Sequence, residues 1–325
     1  MKKTWRLLLS ASVALCAATV GALPAQAAYP DKPVRMIVPY PPGGPTDILG
    51  RMAAQYLTEK LGQTFVVENK AGASGMIGAD NVARSPADGY TLLVNASIHV
   101  IYPALYKSAT IDPIKDFAPI SQIALVPLVL VTRPDQPINS VADLIASGKK
   151  DPGHFRFASS GNGAAPHLAG EAFNLMTGLQ MQHIPYKGSS PALTDVMGGH
   201  VDLMFDSLPS SMPHIKSGSL KALAVSTSSR ISALPDVPTV AEAGVPDYEI
   251  TTWYGLWGPK GTPADITQKI SGLMADMVKD PEYRKRLDAL GAEPVGSTPE
   301  DFGKFQEAEE QKFADIVKRS GAQVD

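Results

Sequence analysis

Cysteine is nearly absent: the 325-residue chain has one, Cys16. It falls in an N-terminal stretch that reads as an export signal, so the processed chain is expected to have no thiol, disulfide or thiolate metal site. Leu15 stands where a lipoprotein signal needs a small residue. Long apolar runs are scarce too. Leu7 to Ala22 is too short to span a bilayer, and no other run is long enough either. A basic surplus is missing: 29 Lys and Arg stand against 32 Asp and Glu. With no basic patch of the needed size, a nucleic-acid partner is excluded. The six histidines, at 99, 154, 167, 183, 200 and 214, are scattered, and none forms a metal pair at helical spacing. No Gly-Lys-Ser/Thr loop is present. Gly161 and Gly163 are followed by Pro166, which breaks a dinucleotide fingerprint. Ala158-Ser159-Ser160-Gly161-Asn162 lacks both glycines of a nucleophile elbow. Neither cofactor nor metal is expected.

What is present begins with the signal. Lys2, Lys3 and Arg6 precede the apolar run, and Ala25-Gln26-Ala27 is a small-x-small cleavage site. Removing residues 1–27 takes three cations and no acid, which moves the formal charge from −3 to −6. Such a chain can hold an anion only locally, through amides and hydroxyls, because its overall field offers no attraction.

Two stretches are built for that. Val34 to Val38 reads as a strand, Pro39-Tyr40-Pro41-Pro42-Gly43-Gly44-Pro45-Thr46-Asp47 as a loop, and Ile48 to Leu61 as a helix by its apolar spacing. The first amides of a helix have no internal acceptor and sit at the positive end of its dipole. Gly43 and Gly44 leave room for close approach to the backbone. The pattern recurs: strand Phe155 to Ala158, loop Ser159-Ser160-Gly161-Asn162-Gly163, helix Ala164 to Met176. The alternative reading of each is a plain strand-to-helix turn. Two such anion-holding helix starts suggest one ligand gripped from two sides.

Strands and helices alternate along the chain, which predicts an α/β fold with largely parallel sheets. Further strands are read at Phe65–Glu68, Tyr90–Val94, Met181–Tyr186, Val201–Phe205 and Leu220–Val225. Helices are read at Met76–Ala83, from Ser140, from Ser190 to Met197, and over 299–319. Ile120 to Arg133 reads as two strand pieces kinked at Pro127 and as a crossing between domains, and Leu220 to Val225 as the crossing back. This gives a discontinuous first domain, 29–128 with 228–325, around a second, 129–227. Ligand is expected in the cleft between them, near the carboxyl ends of the strands.

Several segments resemble the Bug-type periplasmic solute-binding proteins of tripartite tricarboxylate transporters. They are Tyr29-Pro30-Asp31-Lys32-Pro33, Pro39 to Gly44 with Asp47 and Arg51, Val67-Glu68-Asn69-Lys70 with Gly72, and Ser85-Pro86-Ala87-Asp88-Gly89-Tyr90. Ser160-Gly161 with His167-Leu168-Ala169, His183 to Gly188, Pro235 to Gly244, and Trp253-Tyr254-Gly255 complete the set. The resemblance covers essentially the whole processed chain. It implies a two-domain, periplasmic-binding-protein-like (Venus-flytrap) fold. It also implies capture of small carboxylates by loops of both domains, through backbone amides and ordered water. Asn95-Ala96-Ser97-Ile98-His99 departs from the family, which often carries Gly and Thr there.

The expected ligand contacts are Tyr40, Gly43, Gly44, Thr46 and Asp47 on the first loop and Ser159, Ser160 and Gly163 on the second. Ser97, Tyr186 and Asp206 at strand ends complete them. Tyr40 and Tyr186 read as cleft walls or core aromatics, Asp206 as a ligand-facing acid or a cap for the next turn, and Trp253 and Tyr254 as core or hinge packing. Ser160, His167 and Asp206 make an imaginable triad, but His167 falls inside the helix, where bracing the loop is the simpler role. The resulting expectation is a monomeric, non-enzymatic periplasmic receptor for an organic di- or tricarboxylate, aromatic ones included. It would pass its ligand to the membrane subunits of a cognate transporter. The alternatives are a secreted enzyme acting on small carboxylic acids and a binding protein feeding a sensor.

Overall fold

The computed structural model describes residues 29–106 and 111–320. The proposed signal, residues 1–27 with Cys16, lies outside them. By its contacts the chain divides at Asp31, and Lys32 onward forms one compact unit. No helix among the described residues is long and apolar enough to cross a membrane.

β1 (Val34–Val38) runs into α1 (Pro45–Leu61), β2 (Phe65–Asn69), α2 (Met76–Ala83), β3 (Thr91–Ala96) and α3 (Ile98–Leu105). α1 starts three residues before the periodic apolar stretch, because Pro45 supplies a φ suited to the first turn where no N–H is needed. Leu49, Met52, Ala53, Tyr56 and Leu57 face inward from it. α3 escaped the sequence reading: it is short and contains Pro103, which masks its helical character.

β4 (Phe117–Thr132) is the long element of the fold. The sequence suggested two pieces; the structure has one strand of 16 residues whose partners change part-way. Its first part pairs with β9 (Thr251–Pro259) as far as Pro127 opposite Thr251. From Leu128 on it pairs with β7 (Leu203–Ser207), and from Val129 with β8 (Lys221–Val225). Pro127, unable to donate to a ladder, stands where the partners change. β8 remains on the later part of β4, and the chain returns to β9 through 226–250 rather than along β8 itself.

Between these come α4 (Val141–Lys150), β5 (Arg156–Ser159), α5 (Ala165–Thr177), β6 (Gln182–Pro185) and α6 (Ser189–Met197), with α7 (Leu208–Lys216) after β7. Ser140 caps α4, its Oγ accepting from Asp143 N–H. After β9 follow α8 (Ala264–Met277), α9 (Pro281–Ala289), the two-residue β10 (Glu293–Pro294) and α10 (Pro299–Ser320).

The sheet order is β2-β1-β3-β9-β4-β7-β5-β6, with β8 and β10 also on β4. It is mixed, not largely parallel. β1 pairs in parallel with β2 and β3, and β5 with β6 and β7, as βαβ units require. β4 and β9 are antiparallel to all their partners. β9 is not among the strands read from the sequence, where Trp253 and Tyr254 count only as packing aromatics. Its alternation is clear in the structure. Trp253 and Trp257 pack on Phe302 of α10, at ring distances of 5.7 and 5.0 Å, while Thr252 and Tyr254 line a cavity.

Candidate functional site

A cavity of about 30 Å³ opens where helix starts converge. Gly44, Pro45 and Thr46 come from the start of α1, and Ser97 and Ile98 from that of α3. Ala164, Ala165 and Pro166 come from the start of α5, Ser189 opens α6, and Ser207 precedes α7. Tyr40, Ala96, Ser160, Thr252 and Tyr254 complete the wall. Five helix N-termini thus meet at one place, and none of the lining side chains is charged. Free first-turn amides and the positive ends of helix dipoles suit an anion, and the lining offers N–H and O–H groups rather than charged side chains. Larger grooves of about 270 and 310 Å³ lie around Ile231 and Gly291, away from these helix starts.

The first loop is braced by a charged network. Gly43 N–H donates to Asp47 Oδ2 at 2.9 Å, and Arg51 Nε donates to the same oxygen at 2.9 Å. Asn69 Nδ2 donates to Asp47 Oδ1 and to the Tyr40 carbonyl, each at 2.9 Å. Burial opposes the Asp47 charge, but Arg51, the Gly43 amide and Asn69 outweigh it and hold the carboxyl below its ordinary range. Gly43 and Asp47 therefore spend their polar groups on each other, and neither lines the cavity. The positive φ of the pair belongs to Gly43, at 80°; Gly44 is extended at −77°.

The second loop is braced without charge. Ser159 is fully buried, its Oγ 2.6 Å from His183 Nε2 and in contact with the Gly161 backbone. Gly163 N–H donates to His167 Nδ1 at 2.9 Å. The His167 and His183 rings stack at 3.9 Å. Burial lowers the His167 pKa to about 4; burial and the neighbouring ring lower that of His183 to about 3. Both are neutral at ordinary pH. Gly163 sits at φ 74°, and a Cβ there would lie 1.8 Å from Leu105 Cδ1. Of this loop's expected contacts only Ser160 reaches the lining; Ser159 and Gly163 stand behind it. The imagined triad is not assembled: His167 turns Nδ1 to Gly163 and Nε2 toward Glu171, 3.7 Å away.

Ser97 and Tyr40 both line the cavity. Ser97 Oγ pairs with Thr252 Oγ1 at 2.9 Å, and Tyr40 Oη donates to the Ser74 carbonyl. Tyr186 lies outside the lining and donates to Asp195 Oδ2 at 2.6 Å; burial and that carboxylate raise its pKa to about 12. Asp206 is also outside. It takes the capping alternative, its Oδ2 accepting from Ser210 and Ser211 of the next helix, and burial raises its pKa despite those donors.

Residues 49–322 match the family described as tripartite tricarboxylate transporter family receptor. Protein BugT of Bordetella pertussis is 39% identical over 321 residues, covering 98% of each chain. The chain belongs to this receptor family. Among solved structures, Rpa4515 of R. palustris with adipate is 38% identical at a TM-score of 0.89, over 91% of this chain and 100% of that one. MatC from Rhodopseudomonas palustris with bound malate is 30% identical at 0.84, over 89% and 100%. The fold of this family member is accordingly the two-domain α/β fold of periplasmic binding proteins.

Ser189, Ser207 and Thr252 line the cavity without being among the residues expected from the sequence, and Tyr254, expected only as core or hinge packing, lines it too. Two signals were available in this receptor's sequence. Gly188-Ser189-Ser190-Pro191 repeats the strand-loop-helix order of the first two loops. Asp206-Ser207-Leu208-Pro209 does so again, with Pro once more in the first turn. Thr252 and Tyr254 carried no such mark, because their place depends on β9 pairing with β3 and β4.

Proposed function

We propose that this protein is a periplasmic receptor that captures a small organic di- or tricarboxylate and delivers it to the membrane subunits of a tripartite tricarboxylate-type transporter. The observation that carries this is the convergence of five helix N-termini on a cavity lined by no charged side chain. Relatives solved with adipate and with malate support the carboxylate class. In this reading the receptor catalyses no reaction and works as a monomer. Its leader is cut near Ala27, which intact mass of the secreted protein tests. Residues 29–128 with 228–325 form one lobe and 129–227 the other, hinged near Pro127 and along 226–250.

Tyr40, Gly44, Thr46, Ser97 and Ser160 meet the ligand. Gly43, Asp47, Ser159, Gly163, Tyr186 and Asp206 shape the loops behind it. A cavity of about 30 Å³ has room for only a water or two, so the lobes must part to admit a diacid. Small-angle scattering then records a smaller radius of gyration with ligand than without. The deciding experiment is a thermal-shift screen over aliphatic and aromatic carboxylates. A ligand at a hundred times its Kd adds about 2.7 kcal/mol. Turnover of a small carboxylic acid, or no shift with any carboxylate, overturns the proposal.

A further inference from the structure

One wall of the cavity carries groups that anion capture alone does not use. Ser189 lines the cavity at 3% exposure, and its Oγ has no hydrogen-bond partner. Asp206 is fully buried, with Oδ2 engaged by Ser210 and Ser211; Oδ1 has no hydrogen bond of good geometry, although the Ser207 amide is near enough to favour the charged carboxylate. The two residues are near enough for Ser189 to favour the charged form of Asp206, yet no hydrogen bond of good geometry joins them. A buried polar atom without a partner is rare and calls for a reason. An acid close to a ring of helix N-termini is a second oddity, because alone it repels the anion those N-termini attract. A donor on the ligand resolves both.

We propose that Ser189 and Asp206 read a hydrogen-bond donor on the ligand's carbon chain, so that the site prefers dicarboxylates bearing a hydroxyl or ammonium group to their unsubstituted counterparts. This rests on the carboxylate reading above and narrows it. Ser189 Oγ is the contact, and Asp206 is the positioning residue. With its O–H turned toward Asp206 Oδ1, Ser189 presents lone pairs to the cavity. A ligand O–H or N–H then donates to Ser189, and Ser189 donates to Asp206. A plain methylene leaves those lone pairs unmet, and such a loss against a buried polar group discriminates strongly. Hydroxyl and ammonium share this chemistry. The ammonium adds attraction to the Asp206 charge, whereas the hydroxyl, both donor and acceptor, serves whichever way the Ser189 proton points.

Titration calorimetry on matched sets tests it: succinate, malate and aspartate; glutarate, 2-hydroxyglutarate and glutamate; adipate, 2-hydroxyadipate and 2-aminoadipate. At one chain length or more, a substituted ligand should bind at least tenfold tighter than its plain counterpart, the better substituent naming the donor. Ser189→Ala should bring that ratio within threefold of one. Asp206→Asn should lower it at least threefold. The ratio is taken within each variant, so a loss of folded protein or a general weakening of the site cancels. Plain and substituted ligands binding equally to the unaltered protein overturn the inference and leave the carboxylate reading standing. A high ratio that survives Ser189→Ala overturns it as well. If no dicarboxylate binds, the inference falls, and the carboxylate reading falls with it only if citrate and other tricarboxylates also give no thermal shift.

Discussion

The two loops that open α1 and α5 share one layout and are stiffened by opposite means. In the first, an ionised carboxylate gathers the Gly43 amide, Arg51 and Asn69. In the second, two stacked neutral histidines hold Ser159 and Gly163. The first brace depends on a charge being present and the second on a charge being absent. The cavity therefore has supports that titrate in different pH windows, and neither places a formal charge in the lining. The loops also differ in their surroundings. Gly163 lies against Leu105 of α3, whereas Gly43 is exposed and meets only the Ser190 hydroxyl, 3.3 Å from where a Cβ would be.

That contrast sets the largest expected effect. Gly163→Ala puts a side chain into left-handed backbone, at about 1–2 kcal/mol. It also forces an overlap with Leu105, at about 1–3 kcal/mol more. The second term applies only while the loop meets α3. Calorimetry should show affinity falling by the overlap share, about 5- to 150-fold, and the thermal midpoint of the unliganded protein falling only by the backbone share. Gly43→Ala should show the backbone share alone. Equal affinity losses from the two substitutions would mean that the loops are equally crowded when ligand binds.

The next effect separates the braces by pH. His167 and His183 are less basic when folded than the ordinary value of 6.5. The unfolded chain therefore takes up protons first, and stability present above about pH 6.5 is lost as pH falls toward 4. For His167 alone the shift from 6.5 to about 4 amounts to about 3 kcal/mol. Glu171, facing His167, is itself pushed up by burial and offers the imidazolium little relief. Asp47 acts with the same sign in a lower pH window. Its folded pKa is depressed, so its contribution holds above the ordinary carboxylate value and fades only below about pH 4. Thermal unfolding from pH 7 to 4 should decline steadily, and His167→Asn with His183→Asn should flatten that decline. An unchanged slope in the double variant would place the titration elsewhere.

Asp47→Asn comes third. It removes charge-assisted bonds from Arg51 and the Gly43 amide, with a loss of about 2 kcal/mol in unfolding free energy. Arg51 is half-exposed, so the ion-pair share is small. Asn69→Ala, which removes the donor to both Asp47 and the Tyr40 carbonyl, should weaken the same loop. If Asp47→Asn instead lowered affinity with no change in the unfolding midpoint, Asp47 would be a ligand contact rather than a brace.

How far the sequence carried depended on whether a feature was local. Strand-loop-helix order is local, so β1 with α1 and β5 with α5 were read, along with Gly44, Thr46 and Ser160 in the lining. The division of labour within each loop is tertiary. That Asp47 turns to Gly43 follows from Arg51 and Asn69 approaching from α1 and the end of β2. That Ser159 is spent on His183 follows from β5 lying beside β6. Proline misled twice: it hid α3 and α7, which contain Pro103 and Pro213, and it suggested a kink in β4 where the strand changes partners. β9 was lost because aromatic bulk read as packing, although its alternate residues serve two different surfaces.

The smallest expected effect joins the two sides of the cavity. Ser190 Oγ donates to the Pro42 carbonyl at 2.9 Å, linking the start of α6 to the first loop. Tyr106 Oη makes a comparable link, 2.8 Å to Ser74 Oγ and 3.2 Å to the Asn162 carbonyl. Neither residue lines the cavity, so neither touches a ligand seated there. If the lobes part and close, the Ser190–Pro42 and Tyr106–Asn162 bonds exist only in the closed form and contribute to affinity without contacting ligand, whereas Tyr106–Ser74 lies within one lobe and persists. A net hydrogen bond is worth about 1 kcal/mol, or roughly a fivefold change in Kd. Ser190→Ala should show that loss for every ligand alike, mainly as faster dissociation, because a latch broken after capture shortens residence. Tyr106→Phe should do the same, and the two losses should add, since the latches share no partner. Thr46→Ala, at a residue of the lining, should instead weaken some ligands more than others. A ligand-dependent loss from Ser190→Ala would make it a contact, and the five helix starts would then include one whose second residue reaches the ligand.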